Sequence, residues 1–157
     1  MPWSIVDFGK YRGKGMTLPQ IVFDDPDWFF NAIEDDYFKN MRFLNNEAKE
    51  IDRKARAIRI PNNNAGNREA EYYVHAPTGK FSHMVVVPKS QPRHEGSSPA
   101  IRRDVIDLSV PRQISSYDKL GGKNMLSSVK SVLFGGSARM TKDRCEAFFD
   151  NPSNFRL

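Results

Sequence analysis

Glu69-Ala70-Glu71-Tyr72-Tyr73-Val74-His75 and Phe81-Ser82-His83-Met84-Val85-Val86-Val87 decide the fold. Both runs are rich in aromatic and β-branched residues, and Ala76-Pro77-Thr78-Gly79-Lys80 between them is a tight connection. That pattern predicts two antiparallel strands. Just upstream, Arg56-Ala57-Ile58-Arg59-Ile60 alternates with period two before the polar loop Pro61-Asn62-Asn63-Asn64-Ala65-Gly66-Asn67. The three segments together predict a three-stranded antiparallel meander.

On either side the period changes to that of a helix. Asp25-Pro26-Asp27 is a helix entrance: Asp25 can cap, Pro26 suits the first position, and Asp27 favours the positive end of the dipole. Phe29, Ile33 and Tyr37 then share one face. A second helix is expected over residues 37–56, with Phe38, Met41, Leu44, Ala48 and Ile51 inward. Its outer face carries Glu47, Lys49, Glu50, Asp52, Arg53 and Lys54, with Glu50–Lys54 as an i, i+4 pair. Downstream, residues 89–100 read as loop, and residues 102–110 as a further strand that stops before Pro111. The diglycines Gly121-Gly122 and Gly135-Gly136 bracket a helix over residues 123–134 with Met125, Leu126, Val129, Val132 and Leu133 on one face. Thr141 caps a last helix over residues 142–149. Residues 23–29 and 149–155 share a Phe-Asp-(Asp/Asn)-Pro-x-x-Phe pattern, which reads as two similar caps more readily than as a duplication.

The whole chain is 157 residues, with 39% hydrophobic and 27% charged residues and 18 aromatic side chains. That is enough apolar surface for one compact core. No apolar run approaches the roughly 18 residues that span a bilayer. The start, Met1-Pro2-Trp3-Ser4-Ile5-Val6-Asp7, has neither a basic nor an apolar leader region, so the expectation is a cytoplasmic protein without a membrane partner. One cysteine excludes an internal disulfide framework and a cysteine-rich zinc module.

Net charge is +5, unevenly spread. Residues 24–36 hold six acids and no base, whereas residues 86–157 hold 12 bases and seven acids. A basic half attracts polyanions, of which nucleic-acid backbones are the commonest in a cell, although a solvated basic face with no partner has the same composition. The sharpest local feature is Phe8-Gly9-Lys10-Tyr11-Arg12-Gly13-Lys14-Gly15. A strand, a glycine-rich basic turn and an extended return through Met16-Thr17-Leu18 would turn backbone N–H groups and three cations toward one anion, with Tyr11 free to stack on a base. The same residues also suit a plain hairpin whose Phe8 and Trp28 are core.

The stretch Phe8-Gly9-Lys10-Tyr11-Arg12-Gly13-Lys14, followed by Asp25-Pro26 and Trp28, resembles the small C-terminal domain of exodeoxyribonuclease X-like proteins. It is similar also to the short bacterial proteins described as quorum-sensing-regulated virulence factors. The resemblance covers about residues 5–45. It implies an accessory module of DNA-processing proteins, not their catalytic part. The acids at 24–36 crowd a helix start and lack the dispersed placement of a two-metal nuclease site.

Other signatures of chemistry are weak. His75, His83, His94 and Cys145 fit no zinc spacing. Gly121-Gly122-Lys123 lacks the remaining residues of a phosphate loop. Cys145 shares its helix with Phe148 and Phe149 and reads as core. Glu47-Ala48-Lys49 has no upstream strand acid to make a nuclease core. In the C-terminal helices Lys123, Lys130, Arg139, Lys142 and Arg144 can follow a phosphate backbone, and Arg93, Arg102 and Arg103 are expected to extend that surface.

The fold expectation is α+β in a single domain over residues 1–157. It has an N-terminal basic turn and helices (1–56), a central antiparallel sheet (57–110) and a C-terminal helical pair (111–157). The functional expectation is a non-catalytic nucleic-acid-binding protein, with DNA and a DNA-processing protein as partners and with no catalytic residue, metal or cofactor. The binding residues are Lys10, Tyr11, Arg12, Lys14, Arg93, Arg102, Arg103, Lys123, Lys130, Arg139, Lys142 and Arg144. Two alternatives stand beside it. One is a protein-interaction adaptor or inhibitor using Asp24, Asp27, Asp35 and Asp36. The other is a metal-dependent nuclease.

Overall fold

Thr17 and Asp25 set where the N-terminal chain turns helical. In the computed structural model, which describes residues 3–63, 65–73, 83–92, 100–115, 118–136 and 139–157, Ile5 bridges Thr17 and the Val6 N–H donates to the Met16 carbonyl at 2.8 Å. These contacts close the expected N-terminal hairpin around a single 3-10 turn (Gly9–Tyr11). Gly9, Gly13 and Gly15 all take positive φ there, a conformation that side chains with a Cβ resist. The extended return stops at Thr17. The Thr17 N–H donates to Gln20 Oε1 at 3.1 Å, and α1 (Leu18–Asp24) begins at the next residue. Thr-x-x-Gln is the capping-box spacing, a helix start that the extended reading passes over.

Asp25 ends α1 and opens α2 (Pro26–Glu34), its Oδ1 accepting from the Trp28 N–H at 3.0 Å. The entrance forms as the sequence predicts. Asp36 takes φ 55°, and this break leaves Tyr37 outside the helix and exposed, while Phe38 is buried in the turn. Consequently α3 (Arg42–Ala55) starts at Arg42 instead of Tyr37. Leu44, Ala48 and Ile51 face inward as their spacing requires. Glu47 and Lys54 do not lie on the outer face; both are buried. Glu47 Oε1 accepts from the Ser4 N–H at 2.8 Å, and Lys54 Nζ donates to the Phe149 carbonyl at 2.9 Å and pairs with Glu50 at 3.0 Å. These long side chains tie both termini to α3, which no helical period could report.

The antiparallel sheet comprises β1 (Arg68–Tyr73), β2 (His83–Pro88) and β3 (Ala100–Arg103), in the order β2-β1-β3. Tyr72 of β1 faces Met84 of β2 and Ile101 of β3. The meander is corrected in membership and order. Residues 56–60 contribute only isolated bridges from Ile58 to Ile106 and to Phe155. The Ile58 N–H donates to the Ile106 carbonyl at 3.0 Å and the Ile106 N–H returns at 2.7 Å, whereas the Arg59 N–H turns to the Asn154 carbonyl on the other side.

The strand expected over 102–110 ends at Arg103, and α4 (Ser109–Ser115) takes its place. Asp107 Oδ1 accepts from both the Ser109 N–H (2.8 Å) and Ser109 Oγ (2.6 Å), and Pro111 sits in the first helical turn, where its missing donor costs nothing. α5 (Lys119–Phe134) starts before the first diglycine, capped by Asp118 Oδ1 on the Gly121 N–H at 3.0 Å. Gly122 is required by packing. A Cβ there would lie 1.8 Å from Ser115 Oγ and 3.0 Å from the Pro111 carbonyl oxygen, so α4 and α5 approach closely only over a glycine. α6 (Lys142–Asp150) opens as predicted, with Thr141 Oγ1 accepting from the Arg144 N–H at 3.2 Å.

A single contiguous core runs from Val6 to Phe155 and draws on all three segments of the chain. α5 covers the sheet, and its Ser128 Oγ accepts the Met84 N–H of the edge strand β2 at 2.8 Å. Phe23 of α1 packs against Phe148 and Phe149 of α6, each at 5.6 Å between ring centroids. The α+β class with helices at both ends of the chain is therefore what the sequence predicts. The two Phe-Asp-(Asp/Asn)-Pro stretches behave as caps: Asp25 opens an α-helix, and Asn151 Oδ1 accepts from the Ser153 N–H to open one 3-10 turn (Pro152–Asn154). No helix among the described residues is long and apolar enough to cross a membrane.

Candidate nucleic-acid interface

The two separated parts of the N-terminal motif meet. Lys10 pairs with Asp25 at 2.6 Å, Phe8 and Trp28 lie 6.0 Å apart, and a Cβ on Gly9 would sit 3.8 Å from the Trp28 ring. Tyr11 is the keystone, not a stacking platform. It is only 1% exposed, its ring meets the edge of Trp28 at 4.9 Å, and its hydroxyl donates to Asp24 Oδ2 at 2.8 Å. Burial, and next the adjacent Asp24 carboxylate, push the phenol far above its ordinary pKa. A base finds no free face on this ring, so the stacking role is withdrawn. Gly13 N–H, one of the turned amides, is likewise spent internally on Asp7 Oδ1 at 2.8 Å. What the turn does present outward is Arg12 and Lys14, both exposed. The Lys14 ammonium also lies 5.9 Å from the Tyr11 ring centroid.

Asp24 joins this turn to the C-terminal helices. With Lys130 and Cys145 it lines a small cavity of about 90 Å³. Lys130 is half-buried there, and desolvation lowers its pKa against the opposing pull of Asp24. It faces inward, away from the role of a solvent-side phosphate contact. Cys145 is buried, and burial pushes its thiol up to about 11, so it is a protonated core residue at neutral pH. Lys123, Arg139, Lys142 and Arg144 are exposed.

β3 divides its two arginines. Arg103 is exposed, but Arg102 is an internal residue. Its Nε pairs with the fully buried Glu71, and its two Nη atoms donate to the carbonyls of Gln91 (2.6 Å) and Pro92 (2.9 Å). With every nitrogen engaged, Arg102 is removed from the binding set. Arg93, His75 and His94 lie outside the described residues.

Ion pairs among the described residues engage Lys10, Lys54, Arg56, Arg102, Arg112 and Arg156. Arg12, Lys14, Arg103, Lys123, Arg139, Lys142 and Arg144 have none. Four of the six acids at residues 24–36 are engaged by the chain's own groups, although none of the six is buried. Asp24 holds Tyr11, Asp25 caps α2 and holds Lys10, and Asp27 (3.9 Å) and Glu34 flank Arg112. Asp35 and Asp36 are exposed. Among the described residues, no three His, Cys, Asp or Glu side chains could jointly hold a metal ion.

The sequence reading passes over a second cationic group. Arg59, Arg68, Lys89 and Arg156 line a cavity of about 370 Å³ whose only acid among the described residues is Asp104. The alternation Ile58-Arg59-Ile60 places Arg59 opposite two apolar neighbours, a signal that its side chain leaves the core. The convergence itself depends on chain crossings that lie far apart in sequence. No family model, curated protein or solved structure matches the chain.

Proposed function

We propose that this chain is a non-catalytic nucleic-acid-binding protein, accessory to DNA processing, that engages phosphates through Arg12, Lys14, Arg103, Lys123, Arg139, Lys142 and Arg144. One observation carries the reading: these seven exposed cations have no carboxylate partner among the described residues, while the buried Lys54 and Arg102 are paired internally. An unpaired exposed cation keeps its full attraction for a polyanion, because no internal contact must break first. The resemblance of residues 8–14 and 25–28 to the accessory module of DNA-processing enzymes supports DNA as the polymer. With the Tyr11 face buried, the remaining contacts are charge contacts to the backbone, which position a protein without reading sequence.

Binding of this kind releases condensed counterions. On duplex DNA the affinity falls with a logarithmic salt slope of about −0.9 per phosphate contacted. Fluorescence anisotropy with a labelled duplex at rising salt tests it. The expected result is a steep slope that flattens in Arg12→Ala/Lys14→Ala and in Lys142→Ala/Arg144→Ala, with little change between unrelated duplex sequences. Absent binding, or binding indifferent to salt, defeats the proposal.

A further inference from the structure

We infer that the cavity formed by Arg59, Arg68, Lys89 and Arg156 is a binding site for a phosphate-dense anion, of the charge density of a diphosphate. This goes beyond the nucleic-acid reading and does not rest on it, because it uses none of the seven cations named there.

The scaffold is built from backbone. The Arg59 N–H donates to the Asn154 carbonyl and the Arg156 N–H to the Ala57 carbonyl, both at 2.8 Å, so the chain's last residues run beside residues 57–59. The Asn63 side chain clasps the backbone of Arg68, accepting its N–H at 2.9 Å and donating to its carbonyl at 3.3 Å. The Lys89 N–H donates to the Asn67 carbonyl at 2.8 Å, extending the β1–β2 ladder by one step. Four cations from three parts of the sequence, residues 59–68, 89 and 156, thereby meet around one space.

Their own chain neutralises them poorly. Among the described residues, Asp104 is the only acid of the cavity, and it is engaged by Arg156, whose guanidinium holds the Asp104 carboxyl below the usual carboxylate range. Arg59 spends Nε on the Phe155 carbonyl at 2.9 Å and keeps both Nη atoms. Arg68 and Lys89 have no side-chain partner among the described residues. Like charges held in one concavity repel, and an anion that bridges them removes that repulsion while receiving charge-assisted hydrogen bonds.

Size and lining define the ligand class. About 370 Å³ exceeds what one orthophosphate fills and falls within the range of small-molecule sites. Among the described residues, Ile60 is the one large apolar side chain of the lining and no aromatic ring is present to favour a nucleobase. A compact anion with several negative charges satisfies three free cationic heads better than a monoanion. The same chemistry has two sources: a free diphosphate, or the terminal phosphate of a nucleic-acid strand.

Isothermal titration calorimetry with inorganic pyrophosphate, beside orthophosphate at matched ionic strength, tests the site. The expected result is one pyrophosphate per chain, bound at least about tenfold tighter than orthophosphate. Lys89→Gln and Arg68→Ala should each weaken it about tenfold, and Arg12→Ala/Lys14→Ala should leave it unchanged. Because a bound ligand stabilises the native state by mass action, saturating pyrophosphate should also raise Tm by about 5 °C or more. Lys89→Gln alters an exposed side chain just past β2, so it separates loss of the site from loss of the fold. Oligonucleotides with and without a 5′-phosphate distinguish the sources. Competition by the phosphorylated strand alone assigns the strand end, and competition by neither assigns the free ligand. Pyrophosphate no tighter than orthophosphate, binding that survives both cavity variants, or equal competition by the unphosphorylated strand overturns the inference.

Discussion

The turn at residues 9–15 and the strand β3 are both basic, and they put their cations to opposite uses. On β3 the Arg102 side chain is 5% exposed against a Glu71 side chain that is fully buried, and its remaining nitrogens hold the carbonyls of residues 91 and 92. In the turn Arg12 and Lys14 stand in solvent, and the burial falls on Tyr11 just before them. The difference follows from desolvation. A guanidinium removed from water must be paired and fully hydrogen-bonded, or the structure forfeits several kcal/mol. A buried cation is therefore committed to its own chain, and only a solvated, unpaired one remains available to another molecule.

Removing Arg102 should separate the two regions most sharply. Arg102→Met removes the guanidinium that pairs with the buried Glu71 carboxylate, for which a loss of about 3–5 kcal/mol is expected. Urea unfolding measures it. Arg102→Met/Glu71→Leu should recover most of the loss, because an apolar pair of similar volume needs no charge compensation. The folded fraction of either variant should bind DNA as the parent does. A loss under about 1 kcal/mol in the single variant would mean that the pair is solvated and that β3 does not differ from the turn in kind.

The turn should behave in reverse. Arg12→Ala/Lys14→Ala should change stability by no more than about 0.5 kcal/mol, as is usual for exposed positions without partners. It should reduce the logarithmic salt slope of DNA binding by about 2, one contact per cation. If stability falls and the slope does not, the turn is structural throughout.

Tyr11 tests the boundary inside the turn. Tyr11→Phe removes only the 2.8 Å hydrogen bond to Asp24, so a loss of about 1 kcal/mol is expected, with DNA affinity unchanged. Weaker DNA binding at equal stability would return Tyr11 to the contact surface.

What was legible in the sequence is what local chemistry determines. Asp25-Pro26, Thr141 and the Met125/Leu126/Val129 stripe act within one or two turns of chain, and each forms as its spacing predicts. β1 and β2 are legible from composition. The third strand was misplaced because Ile58 and Ile101 alternate equally well, and only the crossing of residues 104–106 and 154–156 over Ile58 decides between them. The candidate site was legible as a list of cations and not as an arrangement. Arg102 and Arg103 are adjacent in sequence and fall on opposite faces of β3, one against Glu71 and one toward solvent. Glu47 and Lys54 look like outer-face charges until the two termini fold onto α3. The cavity around Arg68 needs residues 59–68, 89, 104 and 156 to meet, which no periodicity records.

The smallest effect concerns a cation that is paired yet still wet. Arg112 joins α4 to α2: its Nη1 donates to Glu34 Oε1 at 2.5 Å, an Nη2 bond reaches Asn31 Oδ1 at 2.8 Å, and Asp27 lies 3.9 Å away. The hydrogen bond from Arg112 holds the exposed Glu34 carboxyl below its usual range. A carboxyl depressed in the folded state contributes stability above its unfolded pKa, and that contribution disappears as pH falls through the lower folded value. The acid limb of the stability curve should therefore be shallower in Arg112→Gln than in the parent. Because Glu34 is in solvent, about 1 M salt, with a Debye length of only about 3 Å, should bring the two acid limbs together. The buried Arg102–Glu71 pair is far less accessible to counterions, so the cost of Arg102→Met should survive the same salt. If salt erased both differences alike, the distinction between committed and available cations would not be one of burial.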